Sequence, residues 1–408
     1  MLAHAVGGGF PGPAMPPLPP FSLERFFAKY EFHVEHHLCA SDPQALSTAD
    51  VLALATEDER EAYGKLDLGY TESAGNPDLR KAIAEHHYGG VGAEEVVCVV
   101  PEEGIYLTML ALAERCKQAH AVVTAPAYQS LFQVLESAGW SVDFWKPRFG
   151  DDHHARFDVA DLESLVQEGT RLIVVNFPHN PTGALPTPDE WQAIASVASS
   201  AGALVFSDEM YRGLELRDHT RLPSMADVLG AGAVALSGLS KTYGLPGLRV
   251  GWLAVQDAKL RDRIRELKDY TTICGSAPSE FLGTIAVRNT ALLQERVRAQ
   301  IRANVHEASA FFAHPDRKAL FAWPEGGPVA GTVLFPRLQS HQDASPLCEH
   351  LARCHGVLIL PAAALPFDAT SHFRIGLGRS SASLTAGLAA LGAALADADV
   401  RRLAGSPV

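Results

Sequence analysis

The chain has 408 residues, 47% hydrophobic and 20% charged, which provides for a large buried core and excludes a mainly disordered protein. Its formal net charge of −13 argues against a general nucleic-acid surface, which needs clustered Lys and Arg to displace counterions. No apolar run reaches the ~20 residues of a membrane span, and six cysteines without a CxxC pair read as free thiols of a reducing compartment.

Residues 1–21 form a Gly- and Pro-rich arm that lacks the basic start and apolar run of a secretion signal, so a cytoplasmic protein is expected. Ser22 is placed to cap a helix beginning near Leu23, and Ser47-Thr-Ala-Asp50 opens a second. A third helix covers about 77–87. From there short apolar runs at 96–100, 121–124, 171–176, 204–207, 233–236 and 250–255 read as strands buried on both faces. Helical stretches at 105–113, 131–138, 188–199 and 260–267 alternate with them, which predicts an α/β fold with a mainly parallel sheet sandwiched by helices. A long charged helix over 291–312 leads to a second module, with strands at 329–335, 356–360 and 372–377 and a closing helix at 384–395.

Chemistry concentrates at the ends of these strands. Lys241 lies in Ser237-Gly-Leu-Ser-Lys-Thr-Tyr-Gly-Leu-Pro-Gly-Leu-Arg249. A lysine among small residues can form a Schiff base with an aldehyde cofactor, provided its pKa is lowered enough to leave the amine neutral. Arg249 offers a planar fork for a phosphate, with Ser237 and Ser240 as nearby hydroxyls. Asp208 and Tyr211 end the run Leu204-Val-Phe-Ser-Asp-Glu-Met-Tyr211. A carboxylate here would keep a pyridine nitrogen protonated so that the ring acts as an electron sink, and a helix N-cap is the competing role. Asn180, in Asn176-Phe-Pro-His-Asn-Pro-Thr-Gly183, follows another strand end, where an ordinary turn is the alternative. Tyr128 could stack on a ring or be a core tyrosine. Arg374 could clamp an α-carboxylate or be a surface residue.

With Tyr70-Thr-Glu-Ser-Ala-Gly-Asn-Pro-Asp-Leu-Arg80 added, the order of these segments resembles the class I/II aminotransferases, pyridoxal-phosphate enzymes of fold type I. The likeness spans about residues 60–380. It implies a large cofactor-binding domain over 61–292 and a smaller α+β domain built from 22–60 and 293–408. It further implies amino transfer from an L-amino acid to a 2-oxo acid through internal aldimine, quinonoid and ketimine. Lys241 would hold the cofactor and act as base, Asp208 would pair with the pyridine nitrogen, and Asn180 and Tyr211 would reach the phenolic oxygen. Tyr128 would stack on the ring, Arg249 and Ser240 would hold the phosphate, and Arg374, with Asn180, would bind the substrate carboxylate. The same resemblance implies a homodimer in which Tyr70 reaches the neighbouring subunit's phosphate, while the arm crosses to the partner or covers the site.

Two departures stand out. Where relatives place small residues that cradle the phosphate, this chain has Pro101-Glu102-Glu103-Gly104, so the amides of Glu102 and Glu103 would have to substitute. Three positions before the lysine stands Gly238 in place of a frequent serine, leaving Ser237 or Ser240 for that role. Some segments also resemble capreomycidine synthases and arginine oxidases, which implies elimination, cyclisation or oxidation of an arginine-like amino acid as the alternative. The clusters His33/His36/His37, His86/His87 and His153/His154 have no recognised ligand spacing, and no metal site is expected.

Overall fold

The computed structural model describes residues 17–216, 221–365 and 368–405, so the first sixteen residues of the expected arm lie outside the described residues. Its centre is a seven-stranded sheet in the spatial order Val96–Val99, Gly251–Val255, Ala233–Gly238, Leu204–Asp208, Thr170–Asn176, His120–Thr124, Ser141–Trp145. Strand Gly251–Val255 runs antiparallel to both its neighbours, and the remaining pairs are parallel. The parallel strands need crossovers, which helices such as Pro101–Arg115 and Pro188–Ala201 supply. Burial on both faces explains why the central strands read as continuous apolar runs.

The edge strand Ser141–Trp145 escaped the sequence reading because Ser141 is exposed and Val142 and Phe144 only half-buried, so no apolar run announces it. Ser22 is not a cap. It is the first helical residue of Ser22–Tyr30, with Phe21 in the capping position, and its N–H donates to the Gln129 side chain at 2.8 Å. Ser47 does cap, in a reciprocal box with Asp50. The helix Glu57–Gly64, with its own box of Thr56 and Glu59, was not anticipated; none of its residues is buried, so it lacks the apolar stripe that marks a helix in sequence.

The long helix Thr290–Ala313 leads to a module of short strands. Val333–Leu334, Phe373–Gly376 and Leu360–Pro361 make one three-stranded antiparallel sheet. His36–His37 pairs in parallel with Val357–Leu358, so the N-terminal segment is built into the C-terminal module. The expected strand at 329–335 is mostly loop. The closing helix Ser381–Ala394 is followed by a further one, Ala398–Leu403.

Candidate active site

Register brings the chemistry to one level. Asn176 pairs with Asp208 and Asp208 with Leu236, so three neighbouring parallel strands end together at the sheet's carboxyl edge. Side chains leaving these ends converge in the crevice where α/β sheets bind ligands. The Asn176 side chain fixes the first turn, donating to the Asp208 carbonyl at 3.1 Å and accepting the Asn180 N–H at 3.0 Å. The short helix Leu239–Thr242 follows strand Ala233–Gly238 without a loop and lifts Lys241 into the crevice. A side chain at Gly238 would crowd this junction, with its Cβ 3.1 Å from the Gly251 Cα and 3.1 Å from the Val250 carbonyl.

Tyr128, Asn180, Asp208, Tyr211, Ser240, Lys241, Arg249, Arg374 and Glu102 line one cavity of about 400 Å³. The Lys241 amine donates to the Ser41 hydroxyl at 3.0 Å. Burial lowers its pKa to about 8; Asp42 opposes this, while the Arg374 and Arg249 cations add to it. Burial raises the Asp208 carboxyl to about 7, against the Met210 N–H it accepts at 3.1 Å. Burial likewise raises Tyr211 to about 12. Arg374 is 1% exposed: Nε and Nη2 donate to the Cys39 carbonyl at 3.1 and 2.8 Å, and Nη1 donates to Asn180 Oδ1 at 3.2 Å. That leaves a guanidinium held in one orientation at the cavity wall.

Two expectations are corrected. Ser237 lies within its strand opposite Trp252, and its buried side chain does not line the cavity, whereas Ser240 does. Glu103, whose amide was expected near the phosphate, does not line the cavity; its carboxylate accepts the Val100 N–H at 3.2 Å and the Thr272 hydroxyl at 2.8 Å. Tyr70, expected to serve a neighbouring subunit, is 93% exposed and lies outside this chain's own cavity. Pro101 occupies the first turn of its helix, where a missing N–H costs nothing. Glu102 accepts from Ser130 at 3.0 Å, and burial raises its carboxyl to about 7. When protonated, Glu102 would not repel a phosphate.

A second wall carries no motif in the sequence. Helix Ser22–Tyr30 lays Leu23, Glu24 and Phe27 over the cavity, and Glu31, His37, Ser41 and Asp42 follow. Tyr128 donates to Glu24 at 3.0 Å, with the Phe21 ring 4.8 Å from its own. The segment under Ser41 is pinned to the C-terminal module. The Gly376 N–H donates to the Leu38 carbonyl at 2.6 Å, and a Cβ on Gly376 would lie 1.9 Å from the Ala40 carbonyl oxygen. The Thr332 hydroxyl donates to the Ser41 carbonyl at 2.6 Å.

These residues fit pyridoxal phosphate. Asp208 is a buried carboxyl with no ion-pair partner among the described residues, as a protonated pyridine nitrogen would require, and an amine with a lowered pKa shares its cavity. Arg249 and Ser240 supply a cation and a hydroxyl for a phosphate.

The family model "Aminotransferase class I and II" matches residues 36–391. Capreomycidine synthase of Streptomyces vinaceus is 32% identical over 320 residues, 78% of this chain and 79% of that protein. A probable N-succinyldiaminopimelate aminotransferase of Mycobacterium tuberculosis is 28% identical over 72% of this chain and 74% of its own. A PLP-dependent aminotransferase of Streptococcus suis superposes with TM-score 0.83 at 25% identity, covering 93% of this chain and 98% of that one. The PLP-dependent cyclase OrfR superposes with TM-score 0.82 at 27% identity, covering 93% and 97%.

Proposed function

Because the chain belongs to the class I and II aminotransferase family, we propose that its cavity moves an amino group from an L-amino acid to a 2-oxo acid, with the residue roles that follow. It is a pyridoxal-phosphate enzyme of fold type I. The observation that carries the reading is the convergence of Lys241, Asp208, Asn180 and Arg374 on one cavity.

When bound, pyridoxal phosphate supplies an aldehyde that condenses with amines and a ring that accepts electrons. Lys241 would hold it, and its amine, neutral in part near pH 8, would take the substrate's Cα proton and return it. Asp208 would face the pyridine nitrogen and, once ionised, would keep that nitrogen protonated. Asn180 and Tyr211 would reach the phenolic oxygen, and Tyr128 would flank the ring. Arg249, Ser240 and the Glu102 region would receive the phosphate. Arg374 grips the α-carboxylate, with Asn180 fixing its fork.

A homodimer belongs to this proposal. Leu68, Tyr70, Tyr270 and Ile273 are exposed apolar side chains on two adjoining loops. Lys268 ties these loops together, donating to the Ser73 and Ile273 carbonyls at 3.0 Å each. A partner covering this face would receive Tyr70 at its phosphate. The domain division at residues 60 and 292 and a cytoplasmic location complete the reading. Among the described residues no helix is long and apolar enough to cross a membrane.

A specific observation favours a second reading, elimination, cyclisation or oxidation of an arginine-like amino acid. Glu24 and Glu31 on the second wall suit a cationic side chain, Asp42 being paired with Arg379 at 3.0 Å, and relatives include a capreomycidine synthase and a cyclase. An amino-acid panel including arginine, assayed with and without a 2-oxo acid, separates the two. Turnover that requires the oxo acid supports transamination; product formed without it overturns that reading.

A further inference from the structure

The C-terminal module carries a cluster unconnected with the cavity. His350 and His355 belong to helix Ser345–His355, and Asp397 caps the next-but-one helix, Ala398–Leu403. One ligand atom from each lies within 4.8 Å of the others. The His355 Nε2 is 3.4 Å from the Asp397 Oδ2, and the imidazole rings are 5.6 Å apart, tilted at 48°. Neither the His350 Nε2 nor the His355 Nε2 has a hydrogen-bond partner among the described residues, although both atoms are buried. The His350 Nε2, buried with no partner, is costly unless something binds it, and the His355 Nε2 has only the 3.4 Å approach of Asp397.

We propose that His350, His355 and Asp397 form a zinc-class divalent metal site that clips helix Ser345–His355 to helix Ala398–Leu403. Two imidazole nitrogens and one carboxylate oxygen suit a tetrahedral ion with a water in the fourth position, and nitrogen donors select against magnesium and calcium. The neighbours favour metal-ready atoms. The Cys354 Sγ is 3.9 Å from the His350 Nδ1, so a proton placed there leaves the Nε2 lone pair free. The Asp397 Oδ1 accepts the Asp399 N–H at 2.8 Å, leaving Oδ2 for the ion. No recognised ligand spacing joins these residues, because one ligand ends a helix and another begins a different one. His355 also leads through Gly356 into strand Val357–Leu358, which pairs with His36–His37 ahead of Ser41. The clip therefore steadies the module edge that carries the second wall of the cavity.

The test uses tag-free, cofactor-loaded full-length enzyme stripped with chelator, then given zinc and desalted. Elemental analysis is expected to find one zinc per chain, with a raised Tm that magnesium does not reproduce. Cobalt in its place is expected to give the strong visible absorption of a tetrahedral site. His350→Gln, His355→Gln and Asp397→Asn should each lose the retained metal and the cobalt band; asparagine keeps the helix cap, so Asp397→Asn folds. No retained zinc in the wild type overturns the proposal. So does metal content or a cobalt spectrum unchanged in the variants, which marks an adventitious ion bound elsewhere.

Discussion

The Lys241 amine and the Ser41 hydroxyl meet at 3.0 Å across 200 residues of sequence, so the cofactor-binding sheet and the N-terminal segment touch at the reacting atom. The hydroxyl accepts from the ammonium and stabilises its charged form. Ser41→Ala should therefore lower the Lys241 pKa further below about 8, moving its midpoint by about half a pH unit. The rate of amine labelling at Lys241 in cofactor-free protein, followed by mass spectrometry against pH, checks this. An unchanged or higher midpoint would count against the contact.

Arg374→Lys should raise KM for the amino acid by about 100-fold, because a lysine cannot bridge the Cys39 carbonyl and Asn180 while offering a fork to a carboxylate. Steady-state kinetics distinguish this from a general defect. A tenfold fall in kcat at constant KM would place the carboxylate elsewhere.

Asp208 makes stability depend on pH. Its folded pKa, about 7, lies above the ordinary 3.8, so the folded protein binds the proton more tightly than the unfolded chain. Cofactor-free protein should then lose stability as pH rises from about 4 to about 7, by on the order of a few kcal/mol. Asp208→Asn removes this dependence: urea midpoints should match wild type at pH 4 and exceed it at pH 8, with activity lost. Equal midpoints at pH 8 would contradict the argument.

Glu102 is expected to set the pH range of cofactor binding. With its carboxyl raised to about 7, it is neutral below that pH and repels a phosphate dianion above it. Wild-type affinity for pyridoxal phosphate should fall between pH 6 and pH 8.5, whereas Glu102→Gln should hold a flatter profile. Fluorescence titration at several pH values measures both. A steeper fall in the variant would show that Glu102 is not the titrating group.

Lys241, Asp208, Asn180, Tyr211 and Arg249 were legible because each lies within a few residues of a strand end, and strand ends show in the sequence as apolar runs followed by turn residues. Ser237 and Ser240 could not be told apart on that basis, since the choice depends on where the strand stops and the helix starts. Glu103 misled because spacing does not show which amides of a helix's first turn face a cavity. Glu24, His37 and Ser41 carried no signal at all. Their chemistry depends on helix Ser22–Tyr30 being laid over a cavity whose other wall lies more than a hundred residues further along the chain.

The sequence by itself determined the alternation of strands and helices and the order of the cofactor-binding segments, because both follow from periodicity and turn chemistry acting over a few residues. Only the tertiary structure decided the antiparallel strand Gly251–Val255, the acidic second wall and the meeting of His350, His355 and Asp397. Those depend on contacts between distant segments, whose partners are chosen by packing and register and leave no local trace.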